Sequence, residues 1–246
     1  MNKPSLVIEF IGLPGAGKTT IAQNAIESLT TVGYHCFGLS TLDNPEGSEK
    51  AKGGLFSKLR SLKQFAIACL MYRRIAFYAF VYTLQVKPFS LINLRRFFVL
   101  MARLRFMMTL MKDDYDFIIL DQGLIQYIWS IAVTGERPKN DKYLARLLKS
   151  ILDKISLFVI MVDIETELAV ERIFNRPTMR SRFDHMSPSK AQVLLSKHQE
   201  IFTQIVDSTG KFHDTGYLNV NGSQPIKQNV GLIVPFVEQA WQVSNG

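Results

Sequence analysis

An apolar run broken only by Glu9, Leu6-Val7-Ile8-Glu9-Phe10-Ile11, stands near the start of the chain and ends in a glycine-rich turn. Such a run, partly β-branched, predicts a parallel strand buried on both faces. Residues 19–30 then place Ile21, Ala25, Ile26 and Leu29 at helical spacing, with Gly33 just past the end. Residues 34–41 read as a second strand, leading into the polar loop Asp43-Asn44-Pro45-Glu46-Gly47. Strand, helix, strand in this order is a βαβ unit, whose crossover should be right-handed.

The pattern changes over residues 55–111, which are rich in Leu, Phe, Tyr, Met and Arg. Pro88 divides the segment into two long helical stretches, so it predicts an inserted helical pair with apolar faces against the sheet or another subunit. Asp116-Phe117-Ile118-Ile119-Leu120-Asp121 is a third strand ending on a carboxylate. Helical patterns follow through Ile128 and over 141–152, and Leu-Phe-Val-Ile-Met-Val-Asp from Leu157 to Asp163 is a fourth strand. A helix over 165–174 runs into the basic segment 176–182. Ser187 as N-cap, with Pro188 at the first helical position, opens another helix reaching about residue 207. Residues 217–220 form a short fifth strand, Asn221-Gly222-Ser223 the turn, and 224–242 the last helix. With no repeat or linker in view, the expectation is a single α/β domain over 1–246. It has a wound parallel sheet of about five strands flanked by helices, a helical insertion at 55–112 and a lid at 172–186.

Composition narrows the partners. The formal net charge of +8 favours anions: nucleotides, nucleic acid or an acidic membrane surface. Cys36 and Cys69 are too few for a disulfide framework, and His35, His185, His198 and His213 lack metal-ligand spacing. No signal-peptide pattern precedes the glycine turn, which points to a cytoplasmic protein. Residues 65–86 carry Arg73 and Arg74 at their middle, and 97–111 are short and contain Arg103 and Arg105. Neither stretch suits a bilayer span, which needs about 20 nearly uncharged residues.

The turn itself, Gly12-Leu13-Pro14-Gly15-Ala16-Gly17-Lys18-Thr19, fits G-x-x-x-x-G-K-[ST]. Glycines let the backbone curl so that successive N–H groups point at an anion, and the residues expected to line it are Gly12, Pro14 (which has no N–H of its own), Gly15, Ala16, Gly17, Lys18, Thr19 and Thr20. Lys18 reaches the β- and γ-phosphates of ATP, and the Thr19 hydroxyl is a ligand for Mg2+. The helix that starts there aims its positive end at the same phosphates. No guanine-reading N-K-x-D occurs, and Asp121 is followed by Gln122 where hydrolytic motors carry a water-activating glutamate. An acceptor other than water remains, which is the chemistry of a kinase.

Four places carry a resemblance: the run 10–20 around the glycine turn, Asp43 to Gly47, Asp121, and Val162-Asp163-Ile164-Glu165-Thr166-Glu167-Leu168-Ala169-Val170-Glu171-Arg172-Ile173 before an arginine-rich segment. In these the chain resembles the thymidylate kinase and deoxynucleoside kinase branch of P-loop kinases. The resemblance implies that Asp43 or Glu46 faces the acceptor and takes its proton, and that Asp121 helps hold magnesium or a bound water. The alternative for Asp43 and Glu46 is a solvated turn around Pro45. Arg172, Arg176, Arg180 and Arg182 would form a lid that spreads positive charge over the transferred phosphoryl. Arg172 and Arg176, four apart, are neighbours on one helix face if the helix persists that far. A solvated basic helix end is the competing reading.

Two features depart from that family. It has arginine after the strand-three aspartate where this chain has Gln122, which counts against a nucleoside monophosphate acceptor. The insertion, with Arg60, Arg73, Arg74, Arg95, Arg96, Arg103 and Arg105 among aromatics, has no counterpart in a compact nucleotide site. It reads as an acceptor pocket, a homodimer interface, a surface resting on anionic lipid, or plain helices with solvated arginines. The functional expectation is an ATP-dependent small-molecule kinase for a nucleoside- or nucleotide-like acceptor. Its alternatives are a glycan, lipid-linked or antibiotic acceptor, and a non-catalytic ATP switch at a membrane surface. A nucleic-acid partner is the weakest reading, since no recognition motif accompanies the charge.

Overall fold

The computed structural model describes residues 5–39, 55–135, 142–176, 183, 186–209 and 216–245, without the side chains of 39, 55–61, 209, 244 and 245. Five strands, β1 (Leu6–Ile11), β2 (Cys36–Leu39), β3 (Phe117–Leu120), β4 (Leu157–Asp163) and β5 (Tyr217–Asn221), form one sheet in the order β2-β3-β1-β4-β5. Every pairing is parallel, with Ile8 opposite Ile119 on one side and Phe158 on the other. All residues of β1 and β3 are buried, as continuous apolar runs in a parallel sheet should be.

Side chains alternate between the two sheet faces, which sorts the helices. Phe117, in register with Leu6, meets Trp241 of α9 (Ile226–Asn245), and α9 packs on α1 (Lys18–Val32). Glu9 has the opposite parity and reaches α5 (Leu124–Ala132) on the other face. There α5 packs against α8 (Pro188–Thr209), which also meets α6 (Lys142–Leu152) and α7 (Thr166–Asn175).

The insertion differs from its prediction. It holds three helices where two were expected: α2 (Leu55–Met71), α3 (Arg73–Val86) and α4 (Leu91–Leu110). Pro88 does mark the second break. The first falls at Tyr72, where ψ swings to 49° and the chain bends by 110°. Hydrogen bonds continue on both sides of it, Tyr72 N–H to Ala68 and Ala76 N–H to Tyr72, so no glycine or proline is needed and none signals the bend. The inner faces, including Ala68, Ile75, Ala79, Phe97, Leu100, Met101 and Leu104, join the core of this same chain. Among the described residues no single helix is long and apolar enough to cross a membrane.

Smaller shifts occur at element ends. Residues 40 and 41, expected to finish β2, lie outside the described residues. Helix α5 continues to Ala132, and β5 and α9 run to Asn221 and Asn245.

Candidate functional site

From β1 the chain leaves through α1 towards β2 on one side of the sheet, while β4 and β5 lie on the other. The carboxyl end of such a strand is where open α/β sheets form a crevice, and the Gly12–Thr19 segment occupies it. Gly12 has φ +145° and Gly15 φ +86°. A Cβ at Gly12 would lie 2.4 Å from the Val162 carbonyl oxygen, and one at Gly15 2.6 Å from that of Ala169. Backbone conformation and crowding by β4 and α7 therefore both exclude a side chain. Gly17 is the N-cap of α1; no side chain caps this helix and its first turn carries no acid. Its first N–H groups have no intrahelical acceptor, so the helix presents positive potential to the loop.

Lys18 is buried at the start of α1 and donates from Nζ to the carbonyl oxygens of Gly12 and Leu13, 2.9 Å each. Burial lowers its pKa to about 8; nearby Asp121 opposes the shift and Arg176 adds to it. One residue on, the Thr19 hydroxyl donates to Asp121 Oδ2 at 2.7 Å. Asp121 is buried at the end of β3, so two groups 102 positions apart meet beside the loop. Ala16 is buried within the loop, its N–H donating to Leu13 O at 3.2 Å, while Pro14 is half-buried and Thr20 exposed.

Three neighbours of the loop escaped the sequence reading. Glu9 is fully buried, and its carboxylate accepts N–H bonds from Ile125 (3.0 Å) and Gln126 (2.8 Å) at the start of α5. Burial raises its pKa to about 7, with the backbone donors of α5 holding the shift back. It fills the N-terminal anion position of that helix. Gln126 in turn accepts from Gly12 N–H at 3.4 Å, linking α5 to the loop. Gly222, after β5, packs so close to Ala16 that a Cβ would lie 2.6 Å from its carbonyl oxygen. A lone acid inside a buried strand was the available signal for Glu9; Gln126 and Gly222 lie too far along the chain to have one.

The arginines separate. Helix α7 ends at Asn175, and Arg176 is extended with φ −80° and ψ 144°, so Arg172 and Arg176 do not share a helix face as expected. Arg172 donates to Gly222 O at 2.9 Å and lies beside Gly17. Half-buried Arg176 acts electrostatically on Lys18. Asp43, Glu46, Arg180 and Arg182 lie outside the described residues.

Beyond Asp121, a narrow crevice runs between Gln122, Leu120 and Leu124 on one side and Arg103, Phe106 and Leu110 of α4 on the other. The Arg103 guanidinium lies 5.8 Å from the centre of the Tyr127 ring. Thus α4 brings an arginine alongside the strand-three end, where Gln122 supplies no charge.

No family model and no curated protein matches this chain. What the site can do follows from its own chemistry. It offers the uncapped start of α1 to an anion, with the Gly12 and Ala16 N–H groups already bonded to Gln126 and Leu13, an ammonium group that can exchange carbonyl partners for phosphate oxygens, and a hydroxyl–carboxylate pair suited to a hard cation.

Proposed function

We propose that the chain is an ATP-dependent small-molecule kinase on a P-loop NTPase-type sheet, passing the γ-phosphoryl group to a nucleoside- or nucleotide-like acceptor. The observation that carries this reading is the Thr19–Asp121 hydrogen bond at 2.7 Å beside the Gly12–Lys18 loop. Oxygen donors of this kind fit magnesium, which takes few protein ligands and keeps waters and phosphates. Bound there, magnesium would neutralise charge on the β- and γ-oxygens.

The chain's own groups divide the remaining work. Lys18 leaves the Gly12 and Leu13 carbonyls for the phosphates, and the α1 N-terminus holds them in place. An acceptor oxygen forms the new bond to the γ-phosphorus while the bond to the β–γ bridging oxygen breaks. ADP leaves with that electron pair, and Asp43 or Glu46 takes the acceptor proton. Arg172 and Arg176 add positive charge from the side of α7.

A second reading replaces the acceptor with a lipid-linked molecule, in keeping with the apolar, arginine-bearing insertion whose helix α4 lies beside the strand-three end. A panel of nucleosides, nucleotides and extracted lipids with γ-labelled ATP decides between the two. Asp121→Asn should lower transfer by about 100-fold or more, since it weakens the charge on the cation site. Label released only to water, or equal transfer by Asp121→Asn, sinks the kinase proposal.

A further inference from the structure

Between residues 55 and 112 the chain carries eleven Lys and Arg and not one Asp or Glu. The rest holds eighteen basic residues against all twenty-one acidic ones, so the protein's positive charge belongs to the insertion. This segment also exposes large apolar side chains. Phe89 is 95% exposed at the turn between α3 and α4, followed by Leu91 at 82% and Ile92 at 63%. Lys87 and Arg95 are exposed on either side of them. Along α3, Arg73, Phe77 and Phe80 recur at helical spacing, each exposed, and exposed Lys87 follows just past the helix end, so a short apolar stripe has a cation before it and another after it.

Backbone geometry sustains the turn. Phe89 has φ +55°, a region that disfavours bulky side chains, and Ser90 then caps α4 by accepting from Asn93 N–H. The chain thus holds a phenyl ring fully in water at the apex of two helices. At this end α4 is fixed to the far end of α5: Thr134 donates its hydroxyl to Asn93, and Arg96 donates to the Ser130 carbonyl. The start of α5 holds the Gly12 loop through Gln126, so the apex stands about a helix length, roughly 13 Å, from the loop's end of α5.

We infer that the α3–α4 apex docks on an anionic lipid bilayer, with Phe89, Leu91 and Ile92 entering the headgroup region and Lys87 and Arg95 meeting its charge. Projecting apolar groups rimmed by cations, without a single acid, are complementary to such a surface. A second copy fits poorly, because a twofold contact would set cations against the same cations. The inference does not depend on the kinase reading, and its test uses no nucleotide.

Full-length protein is sedimented with vesicles of phosphatidylcholine, alone or mixed with phosphatidylserine. It should partition strongly only into the mixed vesicles, and less as salt rises. Phe89→Ser with Leu91→Ser and Ile92→Ser, and separately Lys87→Glu with Arg95→Glu, should each lower partitioning about tenfold or more. All these side chains are exposed, so circular dichroism should be unchanged and either variant set can carry the test. Absent binding, equal binding to both vesicle types, or unaltered binding by both sets overturns the inference. So does a dimer in solution that the serine variants dissociate, which would assign the apex to a second copy.

Discussion

The loop around Gly12 and the apex around Phe89 both hold backbone at positive φ, yet they use it in opposite ways. At Gly12 the residue has no side chain, neighbours fill the space, and polar groups are enclosed and paired. At Phe89 a large side chain takes the unfavourable conformation and stands in solvent. The charges differ likewise: Lys18 faces Asp121, whereas the cations of the insertion have no acid within their segment. The closed, crowded loop suits the proposed phosphate ligand, which is small and of fixed shape. The open apolar apex suits the inferred bilayer, which is broad and deformable.

The largest expected contrast is in stability. Gly12→Ala puts a methyl 2.4 Å from the Val162 carbonyl and should destabilise the fold by about 3 kcal/mol or more. Phe89→Ala removes no core contact and should stay within about 0.5 kcal/mol in urea denaturation. Equal effects at the two positions would erase the distinction between them.

A smaller effect concerns the support beneath the loop. Glu9→Gln keeps the shape but replaces one acceptor oxygen by a donor, leaving one α5 N–H facing an amide nitrogen; a loss of about 1–2 kcal/mol is expected. The raised pKa of Glu9 also has a pH signature. The folded chain holds a proton that the unfolded chain has released between about 4.5 and about 7. Its contribution to stability therefore falls as pH rises through that window. The difference between wild type and Glu9→Gln should follow this slope in denaturation series. A pH-independent difference would mean that Glu9 is ionised throughout.

These cases also show what the sequence makes legible. Continuous apolar runs at β1, β3 and β4 placed the central strands almost to the residue, because burial on both faces leaves little room for other patterns. The fixed spacing of the glycine turn led to Thr19, and the carboxylate ending the third apolar run led to Asp121; their contact needs only that two strand ends be adjacent. The break at Tyr72 was invisible, since no glycine or proline marks it and the sequence on both sides keeps a helical, apolar pattern. Gln126 and Gly222 were missed for another reason. They reach the loop through the packing of α5 and of the β5–α9 turn, which no local periodicity encodes.

The central claim is that the Gly12–Thr19 loop binds the phosphates of ATP through Lys18, and calorimetry of Mg·ATP binding tests it most directly. Wild type should bind, and Lys18→Ala should bind roughly 100-fold more weakly, because a charged donor to the phosphates is gone. Wild-type affinity should also fall above about pH 8, where empty protein loses the Lys18 proton that the bound phosphates require, while the variant stays flat over that range. Equal affinities for the two proteins, or no binding by wild type, would contradict the account.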